Sequence, residues 1–214
     1  MVLKEITRKN FIKLGGWAGL AAGLMYLIPK VISLPKMMST GFIIFMGPIA
    51  ILSFIGLYYL LTRKEITIPV ILATISAILA GALRMAFIVV QMNNLIYIRE
   101  KISAAGSPED VQIWKNILTG VFTVQNGLNY VADFFIDWAM ILFGIAMWNY
   151  SKSAKWIAVL GFVAGGSHFL LKFYTFPKPP AESGLFDVGP LIGIWALVIS
   201  IWMLFNINEK SKID

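Results

Sequence analysis

The chain has no cysteine. That excludes disulfides, thiolate zinc sites, iron–sulfur clusters and thiol nucleophiles. Histidine occurs once, at His168, so bis-histidine haem ligation within one chain is excluded too. Charge is also scarce: charged residues make up 14% of the 214 residues, where a soluble domain carries about 25%. The net charge of +7 would suggest a nucleic-acid partner in a soluble protein. No window, however, interleaves basic and aromatic residues as nucleic-acid binding requires, and none is expected here. No metal or other cofactor is expected either.

What is abundant is apolar: 58% of residues are hydrophobic, against roughly 45–50% in soluble proteins. A fold of this size cannot hide that excess, so the lipid bilayer is the first expected partner. A spanning helix needs about 20 mostly apolar residues. Six windows qualify: Leu14–Val31, Thr40–Leu61, Ile68–Met92, Leu128–Trp148, Lys155–Phe173 and Val188–Phe205. The expected fold is therefore all-α. It is a single transmembrane helical domain over residues 1–214, built as a six-helix bundle. Pro48 falls inside the second window and should kink it.

The flanking charges orient the bundle. One set of flanks carries Lys4, Arg8, Lys9, Lys13, Arg63, Lys64, Lys152, Lys155, Lys210 and Lys212. The other carries Lys30, Lys36, Arg99, Lys101, Lys115, Lys172 and Lys178, diluted by Glu100, Glu109, Asp110, Glu182 and Asp187. The positive-inside rule places the first set, and with it both termini, in the cytoplasm. Trp148, Tyr150, Trp156 and Trp202 then fall at the cytoplasmic interface, as an aromatic belt would. The opening Thr7-Arg8-Lys9-Asn10-Phe11-Ile12-Lys13 is similar to a twin-arginine export signal with one Arg replaced. No small-residue cleavage site closes the apolar run, so an uncleaved first helix with a basic anchor is expected.

Between the third and fourth windows, Met92–Leu128 is the one sizeable polar region. Ser107-Pro108-Glu109-Asp110 starts a helix, with Ser at the N-cap, Pro at N1 and acids in the first turn. Val111, Trp114, Leu118, Val121 and Phe122 follow at helical spacing. Leu95, Ile98 and Ile102 extend the third helix outward. An external helical hairpin with its tip at residues 104–107 is expected, with a bend near Asn126-Gly127. Small residues recur every fourth position: Gly15, Gly19, Gly23; Ala73, Ala77, Gly81; Gly161, Gly165; Gly189, Gly193. Such rows let helices approach closely within one bundle, or between copies in a homo-oligomer.

The polar residues inside the apolar windows are Arg84, Asp133, Asp137, His168 and Lys172. A charge at the bilayer centre costs roughly 2.5–3.5 kcal/mol on insertion scales, so such groups face protein or water. At 1.5 Å per residue, Arg84 lies about 24 Å beyond Ile68, and His168 and Lys172 about 18 and 24 Å beyond Trp156. Asp133 and Asp137 lie about 8 and 14 Å below Leu128 on a helix of opposite sense. All five map to the outer half of the bilayer. Asp133 and Asp137 share a face at i, i+4, as do His168 and Lys172. Asn129 and Tyr130 prolong the aspartate stripe, and Gln91 shares a face with Arg84.

The candidate ligand-binding set is therefore Arg84, Gln91, Asn129, Tyr130, Asp133, Asp137, His168 and Lys172, with Arg84 expected beside Asp133 or Asp137. Three functions fit it. The first is binding or transport of a small molecule, ion or proton through an outer cavity. The second is a structural or accessory membrane protein whose charges form a closed ion-pair lock. The third is an intramembrane enzyme using Asp133, Asp137 or His168 as acid or base. No metal triad, nucleophile elbow or paired-aspartate motif supports the third, and no catalytic residue is assigned.

Two segments carry a resemblance. Phe173-Tyr174-Thr175-Phe176-Pro177-Lys178-Pro179-Pro180-Ala181-Glu182-Ser183-Gly184-Leu185-Phe186-Asp187-Val188-Gly189-Pro190 resembles a tail found in uncharacterised multi-pass proteins of prokaryotic membranes. Gly127–Trp138 (Gly-Leu-Asn-Tyr-Val-Ala-Asp-Phe-Phe-Ile-Asp-Trp) is similar to their fourth-span region. The resemblance implies a multi-pass protein of a prokaryotic plasma membrane and brings no activity with it. On physical grounds the prolines stiffen a short loop that could roof an outer cavity. Asp187 can cap the helix that begins at Gly189-Pro190.

Overall fold

A computed structural model describes residues 2–208, the side chains at positions 2–5, 30, 36, 37 and 43 excepted. The flanking charges Glu209, Lys210, Lys212 and Asp214, and the side chains of Lys4, Glu5, Lys30 and Lys36, thus lie outside the described residues.

Every regular element among the described residues is helical: α1 (Val2–Val31), α2 (Lys36–Leu61), α3 (Ile68–Asn93), a π-helical turn (Asn94–Ile98), α4 (Arg99–Ala104), α5 (Pro108–Met147), α6 (Lys152–Thr175), a 3-10 turn (Pro180–Ser183) and α7 (Gly189–Phe205). Five helices are long and apolar enough to cross a membrane; α7, at 17 residues, is a shorter apolar helix. Their outer surfaces carry exposed Trp17, Phe45, Leu72, Ile75, Val163 and Leu170, as lipid contact requires. α1 and α2 continue through Pro29 and Pro48.

The helices close into a ring. α1 packs on α2, α2 on α3, α3 on α5, α5 on α6, α6 on α7, and α7 returns to α1. The small-residue rows make several of these contacts. A Cβ at Gly15 would lie 2.6 Å from the Gly56 Cα, so α1 and α2 touch backbone to backbone there. Gly19 sits against the hydroxyls of Ser53 and Ser200, where α1, α2 and α7 meet. A Cβ at Gly165 would lie 3.1 Å from the Asp137 carbonyl oxygen, which fixes α6 on α5.

α3, the π turn and α4 form one helical run, Ile68–Ala104, which turns back into the 40-residue α5. Ser107 caps α5, its Oγ accepting the Asp110 N–H at 3.1 Å. Val111, Trp114, Leu118, Val121 and Phe122 are half-buried while Ile113, Ile117 and Val124 are exposed, so the expected stripe is the packed one. Tyr97 and Trp114 meet edge to face across the hairpin, ring centroids 6.4 Å apart. α5 runs as one helix through Asn126-Gly127.

The two ends of the ring differ. At the end opposite the hairpin, large side chains fill the axis: Ile12, Leu57, Leu60, Met140, Phe143, Met147, Ile199 and Met203 are all buried. Arg63 is fully buried there. Its Nη1 donates to the Asn206 and Ile207 carbonyls at 3.1 and 2.9 Å, supplying donors to the open end of α7. Lys64 donates to the Tyr150 carbonyl and sits 4.1 Å from that ring's centroid. The expected aromatic belt is only half realised. Trp148 and Trp156 are exposed, but Tyr150 and Trp202 turn inward as an edge-to-face pair. The Tyr150 hydroxyl donates to the Leu60 carbonyl at 3.3 Å, and Trp202 Nε1 to Ser153 Oγ at 3.2 Å. A buried Tyr or Trp needs such a partner, and the end of α2 and the start of α6 supply it.

Candidate functional site

In the half of the ring nearer the hairpin, the inward positions are small: Ala22 and Gly23 on α1, Gly47 and Ala50 on α2, Ala80 and Gly81 on α3, Gly193 and Ala196 on α7. Protein interiors normally close-pack, but these side chains cannot reach across a six-helix ring. A cavity of about 310 Å³ remains, lined by all six ring helices. Rows of small residues thus do two things here. They bring helices together at one level and leave space at another.

The charged cluster meets on the wall of this cavity. Asp133 stands between α3 and α6. Its Oδ1 accepts from Arg84 Nη2 and its Oδ2 from Lys172 Nζ. One turn inward, Asp137 is almost wholly buried (1% exposed) and holds His168, whose Nδ1 lies 2.9 Å from both carboxylate oxygens. The expectation that Arg84 pairs with Asp133 or Asp137 resolves to Asp133. Asp137 belongs to the histidine. Nδ1 against a carboxylate carries the proton, so Nε2 is an acceptor in the neutral ring and a donor in the charged one.

Arg84, Asn129, Asp133, His168 and Lys172 line the cavity; Asp137, Tyr130 and Gln91 do not. Asp137 sits behind His168 and orients it. Tyr130 serves the roof: its hydroxyl donates to the Lys178 carbonyl, and its ring meets Phe176 edge to face at 5.3 Å. Lys172 Nζ lies 4.9 Å from the same ring's centroid. Gln91 is half-buried and about 10 Å further along α3 than Arg84 by the helical rise, beyond the cavity's reach.

The roof is the proline loop. Pro179, Pro180 and Ala181 line the cavity together with Asp187, and Pro180 is buried. Val188, not Asp187 as expected, is the N-cap of α7 and offers no side-chain cap; Asp187 Oδ1, one residue earlier, accepts the Gly189 N–H at 2.8 Å. Tyr26 on α1, polar but uncharged and so without a signal in the charge pattern, also faces the site. A Cβ at Gly189 would meet its hydroxyl at 3.0 Å and Asp187 Oδ1 at 2.9 Å, so Gly189 keeps room where α1, α7 and the roof converge. A signal was present: Tyr26 continues the Gly19–Gly23 stripe. Phe173, Tyr174, Phe176 and Phe186 flank the roof, all exposed.

No family model, curated protein or solved structure matches the chain.

Proposed function

We propose that this is a six-span protein of a prokaryotic plasma membrane, with both termini cytoplasmic, that binds a small solute in the cavity of its outer half. The observation that carries the reading is the cavity of about 310 Å³ on whose wall Arg84, Asp133, His168 and Lys172 meet. Buried charges that only fix packing are best enclosed by protein, because each stays costly without partners on every side. Here they border space. The volume falls at the lower end of small-molecule sites, roughly 300–1,000 Å³. Apolar walls with a few convergent polar groups match such sites too. α7 makes the sixth crossing in this reading: its length of 17 residues spans about 26 Å. The exposed aromatics around the roof suit an outer interface.

A second reading has its own support. Both oxygens of Asp133 and both of Asp137 are engaged by cations or the imidazole, as a packing lock would have them.

Thiol labelling separates the two, and the cysteine-free chain makes it clean. Ala196→Cys, facing the cavity, should react with a membrane-impermeant maleimide added outside intact cells, because the thiolate forms only where water reaches. Ala105→Cys, at the hairpin tip, should react from the same side. Labelling of Ala196→Cys as slow as that of a lipid-facing Leu72→Cys control would favour the lock. Labelling of Ala105→Cys only after the cells are broken would overturn the orientation.

A further inference from the structure

The cavity is polar at one level and apolar at the next. Toward the roof it presents Arg84, Lys172 and Asn129; one to two turns inward, around a single polar group, His168, it presents Phe54, Ile136, Ile192, Ala50, Ala80 and Ala196. Hydrogen-bonding capacity leans toward donors, the neutral His168 ring and the Asn129 amide oxygen being the acceptors left on the wall. Asp133 spends each oxygen on a cation, and Asp137 is closed off by His168. Arg84 carries five N–H donors and Lys172 three. Yet each makes one hydrogen bond among the described residues, both to Asp133. Asp187, the remaining acid on the wall, is exposed at the rim and accepts the Gly189 N–H, where solvent and salt screen it. The site therefore has donors to spare beside a positive pair, and an apolar floor.

We infer that the ligand is an acidic amphiphile: a carboxylate or phosphate head on an apolar body. This rests on the solute-binding reading above and names the class. The head sits between Arg84 and Lys172, whose spare N–H groups meet its oxygens as charge-assisted hydrogen bonds. The body reaches inward over Phe54 and Ile136. Arg84 supplies a planar fork and Lys172 a point charge, a pairing suited to oxyanions. In the proposed orientation the polar level lies nearer the outer surface and the apolar level nearer the bilayer centre. A lipid of the outer leaflet has that same polarity. At roughly 30 Å³ per water-sized group, the cavity's 310 Å³ holds about ten such groups. That is a head and the first carbons of a chain, or a whole short-chain acid.

The test uses the purified full chain in a non-ionic detergent, with tryptophan-fluorescence melting and equilibrium titration. Hexyl phosphate should raise the Tm. Inorganic phosphate and hexyltrimethylammonium, at equal concentration, should not. Lys172→Gln or Arg84→Gln should weaken hexyl phosphate binding about 10- to 100-fold, the worth of one hydrogen bond to a charged group. Ala196→Leu fills the floor and leaves the ion cluster intact, so it should abolish the shift even where the charge variants fail to fold. An equal shift from inorganic phosphate would overturn the apolar body, and an equal shift from the ammonium would overturn the acidic head. Either result leaves a solute-binding cavity standing. No shift with any probe would remove both. Mass spectrometry of protein released from bilayers distinguishes the sources. A bound acidic lipid lost in Ala196→Leu assigns a membrane lipid, whereas bare protein that still takes hexyl phosphate assigns a water-soluble acid.

Discussion

Asp133 is the shared anion of two cations, and that makes its removal unlike the removal of either partner. In Asp133→Leu, Arg84 and Lys172 lose their common counter-ion and face each other across the α3–α5–α6 junction. Their side chains are only 22% and 12% exposed. Breaking one side of a buried pair costs about 3–5 kcal/mol; the partial exposure of Arg84 lets it swing toward water, so about 3 kcal/mol is expected. In Arg84→Leu, Asp133 keeps Lys172, and the loss should be about 1–2 kcal/mol. The double variant leaves Lys172 alone, close to a helix end and able to snorkel. Its loss should fall about 1–2 kcal/mol short of the sum, within the usual range for residues in contact. Equilibrium unfolding in mixed micelles, followed by the fluorescence of the seven tryptophans, reads all three. Equal losses for the two single variants would refute the shared-anion account. So would losses that add to within about 0.5 kcal/mol.

Other positions give sharp contrasts in the same unfolding assay. Arg63→Leu should cost about 3–5 kcal/mol, more than Arg84→Leu, because it strands the Asn206 and Ile207 carbonyls inside the protein. Arg63→Lys should recover about half of that, since one ammonium can donate to both carbonyls as Nη1 does but is more strongly hydrated and costlier to bury. Gly56→Val should cost about 1–3 kcal/mol, because its side chain runs into the Gly15 backbone. Gly41→Ala meets nothing within 4 Å and should be neutral or gain up to about 1 kcal/mol of helix propensity. Tyr130→Phe should leave the core intact and raise protease nicking at positions 176–187 about five-fold, the loss of one hydrogen bond of ~1 kcal/mol. Unchanged nicking would mean that Tyr130 does not hold the roof.

Apolar windows foretold the helices because length against bilayer thickness is a strong constraint. The meeting of Arg84, Asp133, Asp137, His168 and Lys172 was legible from depth and i, i+4 spacing alone. The partner of Asp137 was not. Residues four apart on a helix differ by about 40° in azimuth, enough to turn Asp137 toward α6 while Asp133 stays between α3 and α6. Arg63 read as one more topological charge. Its burial follows from the unfilled carbonyls at the end of α7, a need that arises only once the ring has closed. The cavity hid for a similar reason. Ala50, Ala80 and Ala196 look like packing residues on separate helices, and only their common level makes them the walls of a space.

The polar ties at the end opposite the hairpin give the ring one sealed bottom. Arg63, Lys64, Tyr150 and Trp202 stitch the 62–67 connector, the 148–151 connector and the tail of α7 together. A barrel stoppered in this way behaves as a vessel rather than a conduit. If it takes up a solute as proposed, its contents would come to equilibrium with one compartment, and a guest would leave by the door it entered, facing as it arrived. To deliver cargo to the far side, the molecule must unpick these stitches in step with closing the roof. Two latches at opposite ends of one cylinder are what an alternating device needs, and a receptor or a store can leave the lower one shut for good.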